Sequence, residues 1–127
     1  EKESLMNIAL WIVAGLLALA FLAAGFGKVS TPRAALKEKG MAYVDDFADW
    51  HIKAIGVAEI LGAIGLIVPA FMGSLSWLVA AAAVGLTVTM AGGVIVHARR
   101  KEPFIPALVL GVLAAFVAVG RIWLAPF

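Results

Sequence analysis

No cysteine occurs anywhere in the sequence, which excludes disulfide relays, thiol nucleophiles and thiolate metal sites and leaves any redox chemistry to a bound cofactor. Charge is scarce as well. Lys and Arg number 10 and Asp and Glu 8, 14% of the chain against about 25% in soluble domains. The two histidines, His51 and His97, fall on different segments, so bis-histidine ligation of a haem is not expected and no metal constellation is present. Neither a nucleophile triad nor a phosphate-binding glycine loop is found. The net charge of +2 comes from basic loops, which in an apolar chain report orientation and anionic headgroups and do not point to nucleic acid.

Apolar residues, by contrast, make up 64% of the chain before its 13 glycines are counted. A globular domain of this length buries about two thirds of its surface, too little to hide such runs, so lipid is the expected solvent. Four runs qualify as spans: residues 5–27, 54–72, 75–96 and 104–125. The first, 23 residues, gives about 34 Å of helix against a hydrocarbon core of roughly 30 Å. It is longer than the apolar stretch of a secretory signal and further spans follow, so it reads as a span. Gly73 and Ser74 form the turn of what should be a tight helical hairpin between the second and third runs. Pro69 frees the Gly65 carbonyl and predicts a bend near the end of the second. Pro106 falls in a first helical turn, where no donor is needed.

Basic residues divide unevenly between the two ends. Lys28, Arg33, Lys37, Lys39 and Lys53 flank the first long loop and Arg99, Arg100 and Lys101 the second, whereas the opposite side has only Lys2 and Arg121. The expectation is an all-α integral membrane four-helix bundle, one domain over residues 1–127, with both long loops cytoplasmic and both termini outside. Trp11, Trp77 and Trp123 would form the outer aromatic belt, and Trp50 would belong to the inner one. Within the first loop, Ser30 or Thr31 can cap a short amphipathic helix with Pro32 at its first position and Gly40 at its stop. Asp45, Asp46 and Asp49 offer a cap and favourable charge for the second span. Arg121 reads as a headgroup anchor for the fourth.

Glu59 is the residue that asks for an explanation. It lies about 9 Å deeper than Lys53 by helical rise, where a charged side chain is expensive unless paired or protonated. Gly56, Gly62 and Ala63 flank it, while Val57, Leu61, Ile64 and Val68 occupy the opposite side. That pattern turns Glu59 towards protein and lets a neighbouring helix come close. Two partners are within reach at the same end: Lys28, on the face of span one that carries Phe21 and Gly25, and His97, below a small-residue stripe of Gly85, Thr89 and Gly93. Glu59 then either fixes packing through an ion pair or serves a ligand or proton step; both readings remain open on the residues alone.

The segment Phe21-Leu22-Ala23-Ala24-Gly25-Phe26-Gly27-Lys28, then Gly40-Met41, then Gly56-Val57-Ala58-Glu59-Ile60-Leu61-Gly62-Ala63 resembles the DoxX-like family of small bacterial membrane proteins. The likeness extends to residues 92–99 and to Gly120-Arg121. It implies a four-helix protein of the bacterial inner membrane, in which Lys28 and Glu59 occupy matching positions of interest. Some members of that family resemble membrane subunits of quinone-reducing complexes, and others are linked to oxidative-stress assemblies. The leading expectation is therefore a subunit with no intrinsic cofactor whose bundle takes a quinone or similar apolar molecule, with electrons from an oxidoreductase partner. Phe21, Gly25, Gly56, Gly62 and Thr89 would line the slot beside Glu59, Lys28 and His97. The alternatives are a small proton-coupled exporter and a ligand-free scaffold, either alone or as a homo-oligomer.

Overall fold

The computed structural model describes residues 2–127, apart from the side chains of Lys2, Glu3, Ser4 and Asp46. Among the described residues every regular element is helical. Four apolar helices are long enough to cross a membrane, over Leu5–Ser30, Asp49–Phe71, Gly73–Arg99 and Ile105–Leu124. Helix α1 runs Lys2–Ser30, α2 is the short Arg33–Glu38 helix, α3 runs Asp49–Ile67, α4 Leu78–Arg99 and α5 Ile105–Val119. The spans sit where the apolar runs predict them; the first three run a few residues further at their loop ends, whereas the fourth is a residue shorter at each end.

Small residues and leucines build the core. Ala14, Leu17 and Phe21 of α1 meet Ala63 and Leu66 of α3, Leu86 and Met90 of α4, and Ala114 and Val117 of α5. The opposite face of α3, with Val57, Leu61, Ile64 and Val68, is exposed, as lipid contact requires. The closest pairings are α1 with α3 and α4 with α5, while α3 and α4 meet less extensively. A groove of about 310 Å³ opens between α3 and α4, lined by Ala58, Gly62, Gly65, Pro69, Gly85 and Leu86 among others. The helical hairpin expected there is thus the looser of the adjacent pairs.

The ends differ in detail from the sequence reading. Ser30 does not cap α2; it is the last residue of α1, and its hydroxyl donates to the Phe26 carbonyl at 2.7 Å. The cap position of α2 is Pro32, without a side-chain bond. Gly40 closes the segment with φ +94°, a conformation that favours glycine. Asp45 and Asp49 do not cap α3 either, although Asp49 places the expected negative charge in its first turn; the Asp46 side chain lies outside the described ones. His51 Nδ1 accepts from the Ala48 backbone N–H at 3.2 Å, while Asp45 pairs with Lys37 at 2.8 Å. Its hydrogen bond to Lys37 holds the Asp45 carboxyl below the usual range. After Ile67 the chain tightens to a 3-10 turn over Val68–Phe71, so Pro69 ends the α-helix and its hydrogen-bonding pattern near the predicted place.

One end of the bundle collects the loops Thr31–Ala48 and Arg100–Phe104, and the other the termini. The loop after α1 is held by a small core of its own, Leu36, Val44 and Ile52, with Met41, Tyr43 and Phe47 against it. Arg33 Nη1 donates to the Phe47 carbonyl at 3.0 Å. At the termini end Trp11 meets Phe71 and Phe127, at ring separations of 5.7 and 5.8 Å. Trp77 and Trp123 are exposed there. Trp50 is exposed at the loop end, stacked on His51 at 3.8 Å.

Candidate functional site

Glycines decide how α1 and α3 meet. A Cβ on Gly25 would fall 2.5 Å from the Gly56 carbonyl oxygen, and one on Gly56 would fall 2.8 Å from the Gly25 carbonyl oxygen. Only two glycines permit this backbone approach. The same Cβ on Gly56 would sit 2.9 Å from Lys28 Cβ, so the missing side chain also clears a path for the lysine stem. One turn further along α3, Lys28 Nζ meets Glu59 Oε1 at 2.7 Å. Lys28 is 8% exposed and Glu59 2%.

Such a pair must offset two desolvation costs through its own attraction, and geometry decides the balance. Here the contact is close, but Oε1 has no donor in good hydrogen-bonding alignment. It is an ion pair more than a well-formed charge-assisted hydrogen bond. The surrounding groups hold Lys28 in place. Lys53 Nζ donates to the carbonyls of Lys28, Val29 and Thr31 at 3.1, 3.0 and 3.2 Å, placing a cation on the C-terminal carbonyls of α1, where the helix dipole favours it.

Tyr43 completes the cluster from the loop. Its hydroxyl interacts with Lys28 and feels the charge of Glu59. Burial pushes the phenol above its ordinary pKa, opposed by the Lys28 ammonium and reinforced by Glu59. The ring packs edge-on against His97 at 5.2 Å, and His97 Nδ1 lies 3.2 Å from Glu102 Oε1. Arg100 Nε donates to the other Glu102 oxygen at 3.2 Å. Glu59, Lys28, Tyr43, His97 and Glu102 therefore form a succession of polar groups from inside the bundle to its loop end.

Two of the three predicted polar candidates meet directly. Lys28 and Glu59 form the pair; His97 is joined to them through Tyr43. Its own polar partner is Glu102, because Lys101 turns the chain back with φ 56°. Tyr43 and Glu102 escaped the sequence reading. The signals available were a solitary tyrosine in the loop that joins the two interacting spans and a lone acid after three basic residues.

Of the predicted lining residues, Gly62 borders the α3–α4 groove, which the others do not line. Phe21 is fully buried in the core, Gly25 and Gly56 seal the α1–α3 crossing, and Gly62 faces the Leu86 side chain. The Thr89 hydroxyl donates to its own helix at the Gly85 carbonyl, 2.9 Å away. The stripe of Gly85 and Gly93 is not a close helix contact: a Cβ on Gly85 meets nothing within 4 Å and one on Gly93 meets Ala107 at 3.6 Å. Two cavities lie off the ion pair. One is the α3–α4 groove, the other a slot of about 220 Å³ between α4 and α5.

The paired glycines, the lysine in the last turn of α1 and the acid within α3 are the positions through which the sequence resembled a known family, and the family model tests the likeness over most of the chain. The DoxX-like family model matches residues 12–120. The chain belongs to the DoxX-like family. That match takes in the second and third spans, most of the first and fourth, and both partners of the buried ion pair of the DoxX-like chain. Comparison with curated proteins and with solved structures gave no match.

Proposed function

We propose that this DoxX-like protein is the membrane subunit of a redox-linked assembly in the bacterial inner membrane, in which Glu59 exchanges protons with the cytoplasmic side through Lys28, Tyr43 and His97. The observation that carries the reading is the Lys28–Glu59 pair, enclosed between two spans and continued by Tyr43 to a histidine beside a carboxylate. Ionisable groups inside a span are costly and recur in proton relays; histidine is the common shuttle at the exit of one. The ligand in this reading is a quinone or similar apolar molecule that enters from lipid by the α3–α4 groove, whose lining residues Ala58 and Gly62 flank Glu59 in sequence. Reduction of a quinone consumes protons as well as electrons. Protonation of Glu59 releases its carboxyl from Lys28 and frees it to turn around α3 towards the groove, while electrons come from a partner oxidoreductase.

A second reading has one observation in its favour. The pair sits at the tightest point of the α1–α3 crossing, where an ion pair also fixes the register of two helices in a ligand-free scaffold. Extraction and mass spectrometry of the protein purified in mild detergent separate the readings. The proposal expects a copurified quinone and an oxidoreductase partner; purification with lipid alone refutes it.

A further inference from the structure

Arg121 was expected among the headgroups, but it is 7% exposed. It stands in a π-helical turn, Gly120–Leu124, that follows α5, and such turns are frequent at functional sites. Gly120 lies against the Leu10 side chain, so α5 approaches α1 and draws the guanidinium inward. Nη1 donates to Asn7 Oδ1 at 2.7 Å and to the Ala125 carbonyl at 2.9 Å. The Phe127 ring lies over the guanidinium, 3.9 Å from Cζ, with Trp11 at 5.8 Å. All of these partners are neutral. Among the described residues, Nε and Nη2 meet no acceptor and no carboxylate forms an ion pair with Arg121.

Arginine keeps its charge in proteins, and an enclosed charge with only neutral partners is costly. We infer that Arg121 is the base of an anion site between α1 and α5, taking a phosphate group edge-on through Nε and Nη2 with Phe127 stacked on its face. That edge supplies two parallel donors, the arrangement that suits phosphate oxygens. Exposed Trp77 and Trp123 at the same end of the bundle mark the membrane interface, the level of lipid phosphates. A phospholipid and free phosphate are the two sources of this chemistry.

The test titrates the full chain in mild detergent with phosphatidylglycerol, with diacylglycerol of the same acyl chains and with inorganic phosphate, reading binding by native mass spectrometry and Tm. Phosphatidylglycerol acting alone assigns the lipid, and inorganic phosphate acting equally assigns the free anion; diacylglycerol should do nothing in either case. Arg121→Gln should weaken binding about tenfold or more, Arg121→Lys less, and Arg99→Gln at the opposite end not at all. If Arg121→Gln does not fold, the affinities of Arg121→Lys and Phe127→Ala carry the same expectation. Glu1 and the Glu3 side chain lie outside the described residues, so a Glu1→Gln, Glu3→Gln variant is titrated in parallel and should bind as wild type does. Binding seen only in that variant would make one of those acids the counter-ion and overturn the proposal. So would equal binding of phosphatidylglycerol and diacylglycerol, or wild-type affinity in Arg121→Gln.

Discussion

Replacing the Glu59 carboxylate by its near isostere, Glu59→Gln, leaves the Lys28 ammonium enclosed without its counter-charge, and breaking a buried pair from one side costs about 3–5 kcal/mol. Thermal unfolding in detergent should show a clear loss, and Lys28→Met should show a similar one; wild-type stability in both would mean that the pair contributes nothing to the fold. Tyr43 has a signature of its own. Its phenol is raised by burial, so the unfolded chain gives up this proton first, and the stability due to Tyr43 is complete below the unfolded value near 10. It is lost as pH climbs through the higher folded value. Wild type should therefore lose stability between pH 8 and 11 more steeply than Tyr43→Phe, with parallel pH profiles as the contrary result. Lys28 and Glu59 were legible in the sequence because a charge in an apolar run demands a partner and glycines mark where one can approach. Tyr43 was not, because its role depends on how a loop folds back, and no periodicity constrains a loop.

At the level of elements, the α1–α3 crossing rests on backbone contact and the α3–α4 face on side-chain contact. A methyl group on Gly25 or Gly56 meets a carbonyl oxygen, whereas one on Gly62 meets the terminal carbons of Leu86 at 2.6 Å, which can turn aside. Gly25→Ala and Gly56→Ala should each destabilise the bundle at the upper end of the roughly 1–3 kcal/mol seen for overpacking, and Gly62→Ala near its lower end. Thermal melts of the three variants provide the comparison, and equal losses would mean that the crossing is not set by these glycines. The spans were legible from length and hydropathy, since the bilayer imposes both. The caps were not. Ala48 and Pro32 took the cap positions for which the sequence offered better-known cap residues, because the loop over residues 31–48 is fixed by its Leu36, Val44, Ile52 core rather than by capping. The π-helical turn after α5 left no sequence signal beyond Gly120.

For the whole molecule, the even number of spans puts the termini at one end and the two basic loops at the other, and the excess of Lys and Arg there is the ground on which we propose that end as the cytoplasmic one. An impermeant thiol reagent applied to intact cells should label Ser4→Cys and spare Ala35→Cys; the reverse pattern inverts the orientation. The fold class followed from composition, because so apolar a chain has few solvents open to it. The path from Glu59 to the loop end did not, since it joins residues from four separate stretches of the chain. Whether that path works or merely holds the bundle together is decided by removing both charges at once. Replacing a buried pair by apolar side chains of similar volume is often neutral for stability, so Lys28→Met combined with Glu59→Met should keep the fold while removing the groups on which the proposed proton exchange depends. Copurified quinone and Tm would be measured on this double variant beside wild type. Retained Tm with loss of the quinone is the predicted result; quinone content and Tm both at wild-type levels would contradict the account and leave Lys28 and Glu59 as a structural pair.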